Sequence, residues 1–355
     1  MKLSFNLDIN KIKPGMILAQ DIFDHEKLLL AQGTVFKPYY IDKLKARGIT
    51  KVSVHVGTGF YDEILSNPMQ KFYTESYETV ASLIDLLKKG EPVSIIQILP
   101  LIQQMMENVF VNGDSMLLLT GFRGEYDYYY AHSLDVCIYS LITAKALNLD
   151  YDQAAILGAG ALLHDVGKTK VPDQILFKQG SLTVAEFEEV KKHSWNGYEI
   201  VSKIYGLDPK VAEIVLRHHE RCDGSGYPDN LKGDALDTLT KLVSIADIYD
   251  ALTSDRVYNK KILPHEAAEY LVCISGSLID ADLVKIFLQN VAIYPQGCQV
   301  LLNTNEVAIV LDSNPAMPLR PKLKIITDKD RRPLLMPVEC ALQSHPTVLI
   351  TQIFN

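Results

Sequence analysis

Five of the nine histidines in this 355-residue chain lie between residues 132 and 219, and their neighbours are informative. His164 and Asp165 close an apolar run, AAILGAGALLHD, and His218 and His219 end another, VAEIVLRHH. His132 precedes both runs, His193 sits in VKKHSWNG, and Asp247 is embedded in LVSIADIYDAL. Taken singly, an interior histidine is usually a hydrogen-bonded core residue, and Asp247 alone could face solvent. The joint pattern asks for more. Two polar dipeptides at the ends of apolar helices gather several desolvated groups, which is costly unless something pairs with them, and a cation is the natural partner. Imidazole and carboxylate without sulfur suit iron, manganese or zinc, and one aspartate can bridge two ions. The steps from 132 to 164, 164 to 193, 193 to 218 and 219 to 247 are 32, 29, 25 and 28 residues. Each is one helix, a turn and a return, so ligands from successive helices can meet at one level of a bundle.

The elements that must carry these side chains are legible. From Ile64 to about Leu288 the apolar periodicity is helical almost throughout. Phe72, Val80, Leu83, Leu86 and Leu87 share one stripe, and Val136, Tyr139, Ser140, Thr143 and Leu147 another. Gly90 with Pro92, and Asn112 with Gly113, are the expected breaks. Residues 1–56 read as a small α/β unit: MILAQDIF, KLLLAQGTV and KVSVHV as strands, and Tyr39–Arg47 as a helix between Pro38 and the stop signal Gly48. After Ile293, the runs QVLLNT, EVAIVLDS, KLKIITD and TVLITQIF predict a small sheet or barrel. Pro315, Pro318 and Pro321 fit a rigid loop between strands better than an SH3-type ligand. The expected divisions are 1–60, a small N-terminal α/β unit; 61–120, a helical connector; 121–290, the domain holding the chemistry; and 291–355, a small C-terminal β unit.

Composition narrows the classes of function. A net charge of −8 argues against a nucleic-acid polymer or a polybasic membrane surface as partner. The longest obvious apolar run, Ala154–Leu163, falls short of the ~18 residues of a membrane span. The N-terminal MKLSFNLDINK is too acidic and broken for a secretory signal. Five cysteines (137, 222, 273, 298 and 340) make no CxxC pair and are odd in number, as expected of reduced thiols in a cytoplasmic protein.

Four strings in order carry a family resemblance: His164-Asp165-Val166-Gly167-Lys168; His193-Ser194-Trp195-Asn196-Gly197; His218-His219-Glu220-Arg221-Cys222-Asp223-Gly224-Ser225-Gly226-Tyr227-Pro228; and Asp247 through Tyr258. With them, residues 132–258 resemble the HD-GYP branch of the HD phosphohydrolase superfamily. A bare HD dipeptide is weak evidence; HHExxDGxGYP at this spacing is specific. The flanking PGMILAQDIF and YPQGCQVLLN resemble appendages of such proteins. The resemblance implies a mainly α chain, an HD-type helical bundle flanked by the two small units. It also implies a phosphodiesterase that hydrolyses cyclic di-GMP to pGpG, and in some cases GMP, through water activated by two divalent ions, iron or manganese.

By position, His132, His164, Asp165 and Asp247 would hold one metal, and Asp165, His193, His218 and His219 the second. Asp165 and Lys168 would act in catalysis, with Lys168 and Arg256 binding substrate. Asp223, Gly224, Gly226, Tyr227 and Pro228 would form a loop near the site, tied to substrate access and to a signalling partner protein. Glu220 is expected to orient a ligand histidine. Two departures from the family pattern stand out. Members with three metals carry Glu four residues before the first ligand histidine, where this chain has Tyr128, so a two-metal centre is expected with Tyr126, Tyr128, Tyr129 and Tyr130 lining or underlying the pocket. A substrate-gripping Lys that often follows Tyr258 is here Asn259, with Lys260 beside it. The readings left open are a cyclic di-GMP phosphodiesterase, a hydrolase of another cyclic dinucleotide or nucleotide, and a non-catalytic receptor or scaffold. Residues 66–89 offer a surface for a homodimer.

Overall fold

A computed structural model describes residues 4–9, 12, 17–24, 27–31, 34, 36, 38–55, 67–120, 128–178, 180–254, 262–291, 293–294, 296–314 and 316–354. The chain is mainly α and divides into two compact units. One comprises residues 1–67, 296–312 and 321–355, and the other residues 68–295 and 313–320.

In the first unit, β1 (Ser4–Asp8), β2 (Ile17–Leu18), β3 (Ile22–Asp24), β4 (Lys27–Leu30), α1 (Pro38–Ala46) and β5 (Lys51–His55) occupy the N-terminal part. β5 lies between β1 and β2, antiparallel to both, and β3 and β4 form a separate hairpin. The run MILAQDIF is thus two strands in two sheets, and β1, unmarked by the sequence pattern, pairs along the whole of β5. Phe36, Leu44, Val52 and Val54 are buried in its small core. The C-terminal part is a five-stranded antiparallel sheet in the order β10-β6-β7-β8-β9, from β6 (Gln299–Leu302), β7 (Val307–Asp312), β8 (Lys322–Thr327), β9 (Pro333–Ala341) and β10 (Ile350–Phe354). β9 was not expected, because Pro333 and Pro337 interrupt its pattern. It is an edge strand, where a missing N–H costs no ladder bond.

The second unit is helical. After α2 (Asn67–Lys89) and α3 (Ile95–Leu119) come α4 (Tyr128–Ala146), α5 (Tyr151–Leu163), a 3₁₀ turn (Val166–Lys170), α6 (Asp173–Leu176), α7 (Val184–Val201), α8 (Pro209–Arg217), α9 (Thr238–Thr253), α10 (Pro264–Ile274) and α11 (Ala281–Asn290). The break at Gly90 and Pro92 holds, but α3 runs straight through Asn112 and Gly113. Met105, Met106, Val109, Met116 and Leu117 are buried along it, and that burial outweighs the ~1 kcal/mol a helical glycine costs.

Caps set where the site-bearing helices begin. Asp150 accepts from Gln153 N and Thr183 from Glu186 N, each reciprocated by the third residue's side chain. Asp208 precedes Pro209 at the start of α8, and Asp237 caps α9. α4 is the axis of the bundle. Residues 131–144 are buried on every side, against α3, α5, α9 and α11, so it carries no polar face. Among the described residues, no helix is long and apolar enough to cross a membrane, and all five cysteines are unpaired thiols.

Candidate metal centre

Each predicted ligand arrives at a helix end or on a buried face. His132 is the fifth residue of α4, His193 lies midway along α7, and Asp247 on α9; His164 and His218 cap the C-terminal ends of α5 and α8. After His164 the chain leaves the helix at Asp165 (φ −99°, ψ 2°) to enter the 3₁₀ turn, so the two side chains enter the same space. Two glycines permit the closure. A Cβ on Gly167 would lie 1.9 Å from the His193 carbonyl oxygen, and one on Gly197 would lie 2.7 Å from Val215 Cγ1 and 3.3 Å from Gly167 N. The glycines of the HDVGK and HSWNG strings therefore let the 3₁₀ turn and α7 touch backbone to backbone, bringing His193 onto Asp165.

Backbone contacts select the tautomers. Nδ1 of His164, His193 and His218 meets the carbonyl three residues earlier, Ala161 at 2.7 Å, Val190 at 2.6 Å and Val215 at 2.8 Å. A carbonyl only accepts, so each Nδ1 carries the proton and each Nε2 turns a lone pair inward. His132 Nδ1 makes the same kind of contact with Asp250 Oδ2 at 2.6 Å. The Nε2 atoms of His164 and His132 face each other at 3.2 Å, and those of His193 and His218 at 3.3 Å. Asp165 serves both pairs. Its Oδ2 lies 3.6 and 3.5 Å from Nε2 of His132 and His164, and its Oδ1 3.5 and 3.9 Å from Nε2 of His193 and His218. Asp247 Oδ1 is 3.1 Å from His132 Nε2, while Oδ2 is 3.9 Å from His219 Nδ1.

This donor set fits a pair of metal ions. Asp165 is 1% exposed, and its Oδ1 is buried without a hydrogen-bond partner. Lone pairs facing lone pairs repel unless a cation separates them. Ligands about 2.1 Å from one ion lie roughly 3.0–3.4 Å from one another in octahedral or tetrahedral arrays, the range of the shortest separations here. Among the described residues, two groups are dense enough to hold an ion, Asp165 with His193, His218 and His219, and Asp165 with His132 and His164.

Electrostatics prepare the groups for that role. Burial pushes the pKa values of His164, His218 and His219 below the usual histidine range and that of His193 to about 4, keeping the imidazoles neutral. Burial also disfavours His132⁺, yet the carboxylates of Asp247 and Asp250 outweigh it and raise that pKa. Burial opposes ionisation of Asp165, but Lys168 and the surrounding imidazoles prevail and hold its carboxyl well below the ordinary range. The sign for stability follows. In chelator-treated protein the unfolded chain protonates His193 near pH 6.5, whereas the folded chain holds it neutral to about 4. Stability is therefore lost as pH falls through that window, by about 3 kcal/mol from His193 alone. His164, His218 and His219 act in the same direction and His132 in the opposite one. Urea titrations of chelated protein at pH 7 and pH 5 are expected to give the lower midpoint at pH 5; equal midpoints would contradict the buried-neutral assignment.

The other expected site residues sort unevenly. Lys168 Nζ reaches Asp165 Oδ2 at 2.5 Å. Tyr227 is half-buried with its ring 4.8 Å from that of His219, while Asp223 is exposed and accepts from Ser225 N at 2.9 Å in a tight turn. Gly224 has φ +83°, and a Cβ on Gly226 would meet the Glu220 and Arg221 backbone at 2.4 Å, so the loop through Tyr227 and Pro228 folds back on the end of α8. Tyr128 stacks on His132 at 5.4 Å, and Tyr129 Oη donates to the Asp165 carbonyl at 2.5 Å. Glu220 does not orient a histidine. Its carboxylate accepts from the backbone N–H of Asp229, Asn230 and Leu231 at 2.6, 3.0 and 3.1 Å, because the returning loop offers three donors in a row. Tyr126, Arg256, Asn259 and Lys260 lie outside the described residues.

Sequence reasoning missed Asp250. It orients His132, and its other oxygen accepts from Ser254 Oγ at 3.2 Å. The signal was its place three residues after Asp247, on the same helix face. Asp250→Asn is expected to weaken metal binding about 10–100-fold, measured by chelator competition, with helicity unchanged.

Residues 129–283 match the HD domain family, and residues 299–355 the KOW domain associated with HD domain. Residues 129–283 of the helical unit thus carry an HD domain, and its four strings resemble those of HD-GYP proteins. It is 32% identical over 246 residues to a cyclic di-GMP phosphodiesterase of Pseudomonas aeruginosa, covering 69% of this chain and 59% of that one. It is 40% identical over 158 residues to a cyclic di-GMP phosphodiesterase response regulator of Xanthomonas campestris pv. campestris, covering 44% and 42%. With a 3'3'-cGAMP-specific phosphodiesterase of Vibrio cholerae it shares 35% over 161 residues, covering 45% and 31%. The chain spans less than two thirds of the length of each of these relatives.

Proposed function

We propose that this protein is a cyclic di-GMP phosphodiesterase with two divalent metal ions, iron or manganese, yielding pGpG. The observation that carries the reading is the division of Asp165, whose two oxygens face two separate pairs of inward-turned imidazoles. His132, His164, Asp165 and Asp247 would hold one ion, and Asp165, His193, His218 and His219 the other. Two ions held so would activate water near neutral pH and neutralise phosphate charge. Around them the chain's own residues do the rest. The Nδ1–H contacts keep the imidazoles aimed, and burial keeps those of His164, His193, His218 and His219 neutral. Lys168, anchored on Asp165, sets a positive charge beside the phosphate as charge develops on the leaving ribose oxygen. Tyr227 covers His219 and narrows access to water, and Arg256 would contact phosphate or guanine.

A second reading, turnover of another 3'3'-cyclic dinucleotide, is favoured by the similarity to a cGAMP-specific relative and by Asn259 in place of Lys. The loop at residues 223–228 is our candidate contact for a signalling protein, and α2 for a homodimer. The test is anaerobic turnover of cyclic di-GMP and cyclic GMP-AMP by manganese- or iron(II)-loaded protein. Faster release of pGpG from cyclic di-GMP supports the first reading, preference for cyclic GMP-AMP the second. Binding without turnover would make the chain a receptor.

A further inference from the structure

A cyclic dinucleotide brings two phosphodiester charges, and only one of them reacts at a time. Lys168 is committed to Asp165 at the floor of the site, and Arg256 lies outside the described residues, so among the described residues the second charge needs another cation. Among the described cations near Tyr227, two are built into the fold. Arg221 Nη1 donates to Ser244 Oγ at 2.8 Å and to the Glu220 carbonyl at 2.9 Å, and Arg217 is shared between Asp229 at 3.1 Å and Glu213 at 3.4 Å. Lys191 differs. It lies on α7 two residues before His193, with Nζ 5.6 Å from the centroid of the Tyr227 ring and 5.2 Å from that of Phe187. Tyr227 in turn lies 4.8 Å from His219, so its ring is the shared neighbour of Lys191 and the metal-ligand cluster. Its ion-pair partner, Glu188 at 2.6 Å, is 58% exposed against 29% for Lys191, and a pair open to solvent on its carboxylate side is weak enough to be exchanged for a phosphate. The neighbouring Lys192 is paired with Glu189 and leaves the helix about 100° away.

We propose that Lys191 is a substrate-positioning residue at the rim of the site that holds the non-scissile phosphate of a cyclic dinucleotide, releasing Glu188 to do so. The two aromatic rings pre-position its ammonium, so little side-chain freedom is lost when the phosphate arrives. This rests on the phosphodiesterase reading above. It deepens that reading by assigning the charge that the floor of the site leaves unmatched.

The experiment compares Lys191→Met with wild type on cyclic di-GMP and on bis(4-nitrophenyl) phosphate, which has one phosphodiester and no second charge. The expected result is a KM for cyclic di-GMP raised about tenfold with kcat within twofold, the loss of one charge-assisted contact. On the one-phosphate substrate kcat/KM should change less than twofold, and Lys191→Arg should recover most of the KM. Glu188→Gln removes the competing carboxylate and should lower KM for cyclic di-GMP by about twofold, an effect that a merely structural ion pair would not give. Equal losses on both substrates, or an unchanged KM, would overturn the assignment and leave Lys191 a prop for Tyr227. Wild-type turnover of cyclic di-GMP reports separately on the parent reading; its absence would sink both.

Discussion

Replacing Asp165 by asparagine is expected to lower phosphodiesterase turnover on the order of 10³-fold, at least as much as losing a key transition-state donor. On the proposed two-ion reading, bound divalent metal should fall to one ion per chain or none. Asparagine fills the same volume, so the reason is chemical. The carboxylate oxygens face different imidazole pairs, Oδ2 toward His132 and His164 and Oδ1 toward His193 and His218. An amide offers one acceptor and one donor, and cannot serve two cations. The metal-free fold should tolerate the change, because the amide can donate to an inward Nε2 where the carboxylate leaves Oδ1 without a partner. Melting temperatures separate these effects: without metal, variant and wild type should lie within a few degrees, and only wild type should gain markedly on adding manganese. A variant that keeps two equivalents of metal would refute the bridging role.

The second large effect is expected at a residue with no functional group. Gly167→Ala would place a methyl 1.9 Å from the His193 carbonyl oxygen and 2.5 Å from Gly197 N, both backbone atoms that cannot rotate away. The 3₁₀ turn and α7 must then move apart, at a cost of about 1–3 kcal/mol for overpacking, drawing His193 off Asp165. Metal affinity should fall about 10–100-fold, as when a ligand's support is removed. Gly197→Ala makes a contrast, since its nearest obstacle is a Val215 methyl that can shift. Stability and metal titration should both rank wild type above Gly197→Ala and Gly197→Ala above Gly167→Ala. The reverse order would show that the backbone contact does not position His193.

Much of this protein was legible in its sequence. Apolar periodicity marked the helical region, since a helix must bury one stripe, and the His and Asp residues at the ends of apolar runs were conspicuous because desolvated polar groups require a partner. The break expected at Asn112 and Gly113 is absent, and the edge strand with Pro333 and Pro337 has no clear mark in the sequence, for one reason: turn-forming residues act locally, and burial or edge position overrides them. What only the tertiary structure decided were pairings across long stretches of chain. Asp250 meets His132, 118 residues away, and Gly167 admits the backbone of α7. Glu220 turns to the returning loop instead of to a histidine. The sequence states which donors are available; direction and distance at 3 Å arise only when helices far apart in the chain pack, because hydrogen bonds and metal coordination depend on angles that no spacing along one strand of chain encodes.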